Sequence, residues 1–208
     1  MPRQNRVRPD GRLVATPERG LFWGNRGSLL DRNGELARYS RGRNWIICLL
    51  DFKGRHRTLW TPGRLTELFF LDEATGLAAG HRPCGECRSA DYRAYKAAWS
   101  QALPDEPATA PGIDARLHAD RLQAPGQRRT YHESVADLPD GAMIVLSGEP
   151  WLVHGPDLLE WSFRGYRRAR PRREIERAEV LTPQATIAVL RAGYRPELHP
   201  TARGPRVF

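Results

Sequence analysis

The sequence predicts an α+β chain: a module of short strands and helices, then a small β-meander with a helix. Three observations predict it. Residues 66–88, TELFFLDEATGLAAGHRPCGECR, join a short apolar run, two helical turns and a C-x-x-C. Residues 88–103 carry aromatic side chains at helical spacing, and residues 138–170 alternate short apolar runs with turn residues. A length of 208 residues, 40% hydrophobic and with six Trp, suits one large domain or two small ones. No run approaches the roughly 18 apolar residues of a membrane span. The basic N-terminus lacks the apolar core of a secretory signal. Three cysteines, two of them in C-x-x-C, fit a reducing cytoplasm better than a disulfide framework.

Residues 1–20 are basic and rich in Pro and Gly. Arg12–Thr16 reads as a short strand. The rest is a loop or arm, which either tracks a phosphate backbone or is simply solvated. Leu21-Phe22-Trp23 leads into Gly24-Asn25-Arg26-Gly27, a turn sequence that either is purely structural or presents backbone amides to an anion. Asp31-Arg32-Asn33-Gly34 predicts a hairpin turn. Trp45–Phe52 reads as a largely buried strand, with Lys53-Gly54 turning it into a returning strand, His56–Trp60. A strict two-residue turn pairs Asp51 with His56 and puts Cys48 on the opposite face; a bulge reverses this.

Residues 66–88 form the centre of the chain. Leu68–Leu71 is of strand type, and Asp72 is the N-cap of a short helix over Glu73–Ala79. Gly80 ends that helix at the position where a positive φ is wanted. Pro83 then leads into Cys84-Gly85-Glu86-Cys87. A C-x-x-C turn with an internal Gly points two sulfurs at one spot, as in a zinc knuckle. Two thiolates make half of a tetrahedral site, so further ligands must come from elsewhere. Cys48 and His56 are the candidates, with His81 a weaker third because H-x-x-C-x-x-C crowds one metal.

This stretch resembles the second half of the Ada-type metal-binding domain. Phe69-Phe70, Leu77-Ala78-Ala79-Gly80, Arg82-Pro83-Cys84 and Cys87 follow that pattern in order. Thr75-Gly76 stands at the family's Glu-Ala pair, and His81 replaces an aromatic residue. The resemblance covers about 20 residues and implies a zinc-binding fold that acts on DNA. In that family four cysteines hold the metal, and one accepts a methyl group from DNA phosphotriesters. The upstream cysteine pair is missing here, and Cys48 and His56 stand in its region. The whole chain also resembles members of a bacterial family, which adds no activity.

Residues 88–103 predict a helix capped by Ser89, with Asp91 in its first turn and Tyr92, Tyr95 and Trp99 on one face. Residues 104–112, PDEPATAPG, read as a linker. They divide a region 1–103, holding the metal module at about 44–100, from an α+β region 113–208. Asp114 is expected to cap a short helix over Ala115–Leu122. Three strands follow, at Ala142–Leu146, Pro150–His154 and Leu158–Tyr166. Thr182, Pro183 and Gly193 frame a last helix.

The formal charge is +9, from 33 Lys and Arg against 24 Asp and Glu, and all but two of the basic residues are Arg. Codon usage alone accounts for Arg enrichment as well as function does. The net charge nevertheless points to DNA or RNA as partner. The candidate nucleic-acid contacts are Arg82, Arg88, Arg167, Arg168 and Arg172, the last three beside Trp161, Phe163 and Tyr166. The candidate metal ligands are Cys84, Cys87, His56 and Cys48, and zinc is the expected cofactor. Two other readings stand beside this one. One is an enzyme acting on nucleic acid or a nucleotide, through His118, His132 or His154 with Glu133 or Asp157. The other is a metal-free interaction protein.

Overall fold

Six short strands from the first 83 residues pair into one mixed sheet. They are β1 (Gln4–Val7), β2 (Leu13–Ala15), β3 (Phe22–Asn25), β4 (Ile46–Leu49), β5 (Leu68–Phe70) and β6 (Arg82–Pro83), in the spatial order β2-β1-β5-β3-β4-β6. The computed structural model describes residues 1–55, 58–124 and 126–204. Pairing is antiparallel except for β1 with β5 and β4 with β6. The strand period of two sorts the side chains. Phe22, Ile47, Leu68 and Phe70 are buried in the core, while Trp23, Cys48 and Phe69 share the other face.

Helix α1 (Glu73–Ala78) follows β5 as the sequence predicts. The Asp72 carboxylate accepts from Thr75 N at 2.9 Å, and Gly80 takes φ +90°. Helix α2 (Ser89–Ala102) buries Tyr95 and Trp99; Ser89 is its first residue rather than its cap. Helix α3 (Ala110–Arg121) begins four residues before the expected Asp114 cap. Thr109 caps it instead by accepting from Gly112 N at 3.2 Å, and Pro111 falls in the first turn, where its missing N–H costs nothing. The Pro- and Gly-rich composition of 104–112 thus hides a helix start.

Strands β7 (Leu122–Ala124) and β8 (Gln127–Arg128) form a small ribbon. The second large sheet is antiparallel throughout. It contains β9 (Tyr131–Ser134), β10 (Met143–Leu146), β11 (Glu149–His154), β12 (Asp157–Ser162), β13 (Gly165–Pro171) and β14 (Arg177–Val180), ordered β13-β12-β11-β10-β14-β9. The expected third meander strand is really two, folded at a tight turn between Ser162 and Gly165. Helix α4 (Gln184–Arg191) begins one residue later than expected. Thr182 does not cap it; its hydroxyl accepts from Met143 N at 2.9 Å. Among the described residues, four α-helices and three sheets make a mixed α+β fold.

Two further expectations change. The N-terminal arm contains a sheet strand, because Asn5 and Val7 alternate with arginines and are buried. Strand β4 has no returning partner from 58–60: it ends at Leu49 and pairs with β3 and β6. The Lys53-Gly54 turn exists, both residues having positive φ, but residues 58–60 beyond it form no strand. His56 lies outside the described residues.

One apolar cluster collects side chains from both sides of 104–112, from Val7 and Phe22 through Trp99 and Ile113 to Val189 and Tyr194. A second packs Leu71, Ala74 and Ala78 against Met143, Leu152, Leu159 and Trp161. Helix α1 is also pinned by polar bonds. Trp161 Nε1 donates to Thr75 Oγ1 at 2.9 Å, Tyr166 to Asp72 at 2.7 Å and Tyr194 to Glu73 at 2.6 Å.

Candidate metal centre

The parallel pairing of β4 with β6 aligns Ile46 with Arg82 and Ile47 with Pro83. One step further along both strands brings Cys48 beside Cys84, and Cys84 N donates to Ile47 O at 2.9 Å. The Cys84–Cys87 turn then swings the third sulfur back to the same place. The ligand atoms of Cys48, Cys84 and Cys87 all lie within 4.8 Å of one another, so these residues could hold a metal ion. All three cysteines are free thiols, two buried and Cys87 half-buried. Glu86 N points at Cys84 Sγ at 3.4 Å, a backbone donor suited to a thiolate.

The sulfurs compete for protons. Hydrogen bonds from Cys48 and Cys87, aided by backbone N–H groups, outweigh burial and pull the Cys84 thiol far below its ordinary range. The bonds to Cys84 and Cys87, with burial, push Cys48 far up. At Cys87 the bond with Cys48 favours the thiolate, but Cys84 and burial prevail and raise it. A bound cation would favour the thiolate form of all three and draw off their protons.

The centre sits at the wall of an open cleft of about 430 Å³. Trp23 is directly across from Cys48 on β3, and Phe69 across from Trp23 on β5, so thiol and aromatics form one row on the sheet. Arg6 extends the row, its guanidinium 4.7 Å from the Phe69 ring centre. Leu50, Leu59 and Leu65 line the same cleft and are exposed. Glu67, Glu86 and Arg55 supply its charge, Arg55 pairing with Glu86 at 2.8 Å. The sequence reading missed Trp23, Phe69 and Glu67. Their alternation with buried neighbours was visible, but strand partners distant in sequence were needed to place them beside Cys48.

His81 is not part of the cysteine group. It is fully buried, its ring packed on Trp45 and Phe70. Nε2 accepts from Arg26 Nε at 3.3 Å, and Nδ1 lies 3.2 Å from Gly76 O, which fits a neutral ring. Burial first, then Arg26 and Arg121, holds its pKa well down.

The arginines divide. Arg82 is buried and grips Asp114 at 2.8 and 2.9 Å, and Arg88 is buried against Glu73 at 2.8 Å and Asp91 at 2.9 Å. Both guanidiniums are ion-paired inside the fold, with Arg88 Nη1 left without a hydrogen-bond partner. Arg172 lies over the carbonyls of Val135, Ala136 and Leu138. Arg167 and Arg168 are exposed on β13, both near Glu160 at 3.3 and 3.4 Å. His118, His132 and His154 stand on α3, β9 and β11 respectively; His154 pairs with Asp157 at a hairpin end, and Glu133 is taken by Arg191. Comparison with protein-family models, curated proteins and solved structures finds no match to the chain.

Proposed function

We propose that the protein holds a zinc ion between Cys48, Cys84 and Cys87 and binds nucleic acid, in the manner of an Ada-type metal-binding domain. The convergence of three sulfurs within 4.8 Å carries this reading. Around one tetrahedral zinc with Zn–S bonds of about 2.3 Å, sulfurs are roughly 3.8 Å apart, a spacing this cluster can adopt. Three thiolates select soft or borderline metals over calcium or magnesium. His56 is the fourth ligand in this reading. It stands in the region of the Ada-type domain's upstream cysteine pair and lies outside the described residues. Bound zinc would keep the thiolates ionised and nucleophilic.

The partner reading rests on the net charge of +9 and on the exposed Arg167 and Arg168. Titration of a fluorescent DNA duplex over a salt series is the test. Arg167→Ala/Arg168→Ala is expected to weaken binding for all sequences and to reduce the slope of log K against log salt by about 2. Absence of salt-dependent binding, or an unchanged slope, would count against this surface.

The open cleft favours a second reading, an enzyme that uses a cysteine thiolate against an electrophile carried by nucleic acid or a nucleotide. Intact-mass measurement after incubation with alkylated DNA separates the two.

A further inference from the structure

A second cluster has nothing to do with sulfur. Arg26, Arg121 and Arg128 converge around Trp45 and Tyr39. The Arg26 guanidinium lies 4.4 Å from the Trp45 ring centre and 4.7 Å from that of Tyr39, and Arg121 lies 3.8 Å from Trp45. Arg26 and Arg121 are fully buried. Three positive charges in so little solvent need a counter-charge.

Among the described residues no carboxylate is free to supply one. The guanidiniums bond to neutral acceptors: Arg26 to Gly11 O and His81, Arg121 to Gly80 O and Arg43 O, Arg128 to Ala78, Ala79 and Leu181 carbonyls. The carboxylates that act on the cluster are engaged elsewhere. Asp10 is held by Arg8 and Arg12, and Asp114 by Arg82. Burial foremost, and then the neighbouring arginines, pull Arg26 down to about 10 and Arg121 to about 9.

The unused donors show where the anion belongs. Arg26 Nη2, Arg128 Nε and the Tyr39 hydroxyl are all buried and all lack a hydrogen-bond partner. They gather beside Gly11, whose φ is +86°. A Cβ there would stand 2.5 Å from Tyr39 Oη, 3.4 Å from Arg128 Cδ and 3.6 Å from Arg26 Nη2. Two guanidinium donors and a hydroxyl that can donate as well as accept match an oxoanion, which accepts only. We propose that Arg26, Arg128 and Tyr39, beside Gly11, form a site for a small oxoanion of the phosphate class, with Arg121 adding charge from behind Trp45. The burial of the donors favours a free ion or a terminal phosphoryl group over the backbone of a polymer.

The test is calorimetric titration of the full chain with inorganic phosphate, with thermal unfolding in phosphate against chloride at matched ionic strength. Phosphate is expected to bind saturably and to raise the melting temperature beyond chloride. Tyr39→Phe keeps the ring on Arg26 and removes one donor; it is expected to fold and to bind phosphate roughly tenfold more weakly. A 5′-mononucleotide that binds where inorganic phosphate does not, and loses affinity in Tyr39→Phe, would keep the site and name the phosphoryl source. Equal effects of phosphate and chloride with no mononucleotide binding, or oxoanion affinity untouched by Tyr39→Phe, would overturn the proposal.

Discussion

A single residue type, arginine, serves opposite ends in this molecule. Arg82 and Arg88 are interior struts, while Arg167 and Arg168 face solvent. The sequence shows all four as equal members of a basic chain. What separates them is a partner distant in sequence, such as Asp114 for Arg82 at 32 positions. A broken buried pair leaves an uncompensated charge, so Asp114→Asn should lower unfolding free energy by about 3–5 kcal/mol in urea titration. Arg82→Met/Asp114→Leu, with no charge left behind, should recover much of the loss. A cost below about 1 kcal/mol for Asp114→Asn would mean that Arg82 is not held as described. His81 teaches the same lesson: its place three residues before Cys84 made it a ligand candidate, yet the strand it precedes leaves it packed in the core.

Elements whose signals are local were legible. Helix α1 announced itself through Asp72 and Gly80, and the C-x-x-C turn through its own spacing. Elements defined by distant pairing were not. Strand β4 looked like half of a local hairpin, and its true partners are residues 22–25 and 82–83. Strands β1 and β14 are polar on paper because only alternate residues are buried, and β9 buries none of its four residues fully. The candidate site inherits this division: Cys84 and Cys87 were plain, Cys48 stayed ambiguous until β6 was seen beside β4. Gly24 tests that arrangement. A Cβ there would stand 1.9 Å from Ile46 O, backbone of the paired strand, and 2.9 Å from the Phe70 ring. Gly24→Ala should therefore destabilise the chain by about 3 kcal/mol, the top of the overpacking range, although alanine suits most backbones better than glycine. Unchanged urea stability would contradict the β3–β4 pairing.

Across the whole molecule, helix α1 is the hub between the first sheet and everything after it. Tyr166 bonds to Asp72, and Tyr194 to Glu73, at its N-terminal end. Burial first, then the facing carboxylate, raises both phenols well above their ordinary value; burial also raises Tyr95 and Tyr131. A raised pKa means the folded state holds the proton more tightly than the unfolded chain. Stability is then intact below the unfolded value of about 10 and drains as pH climbs above it, by up to about 1.4 kcal/mol per pH unit for each tyrosine. Urea midpoints should be lower at pH 11 than at pH 9, and Tyr166→Phe should reduce that drop. A midpoint constant through pH 11 would mean that these phenols are not sealed in the core.

The cysteine centre joins all three scales: three thiols, two paired strands and a turn, and an open cleft. Its most direct test is elemental analysis of protein prepared without chelator, alongside Cys48→Ser and Cys84→Ser. One zinc per chain, lost in either variant, is the expected result, because the site needs β4 and the C-x-x-C together. No metal in the unsubstituted protein, or full metal retained in Cys48→Ser, would contradict the centre described here.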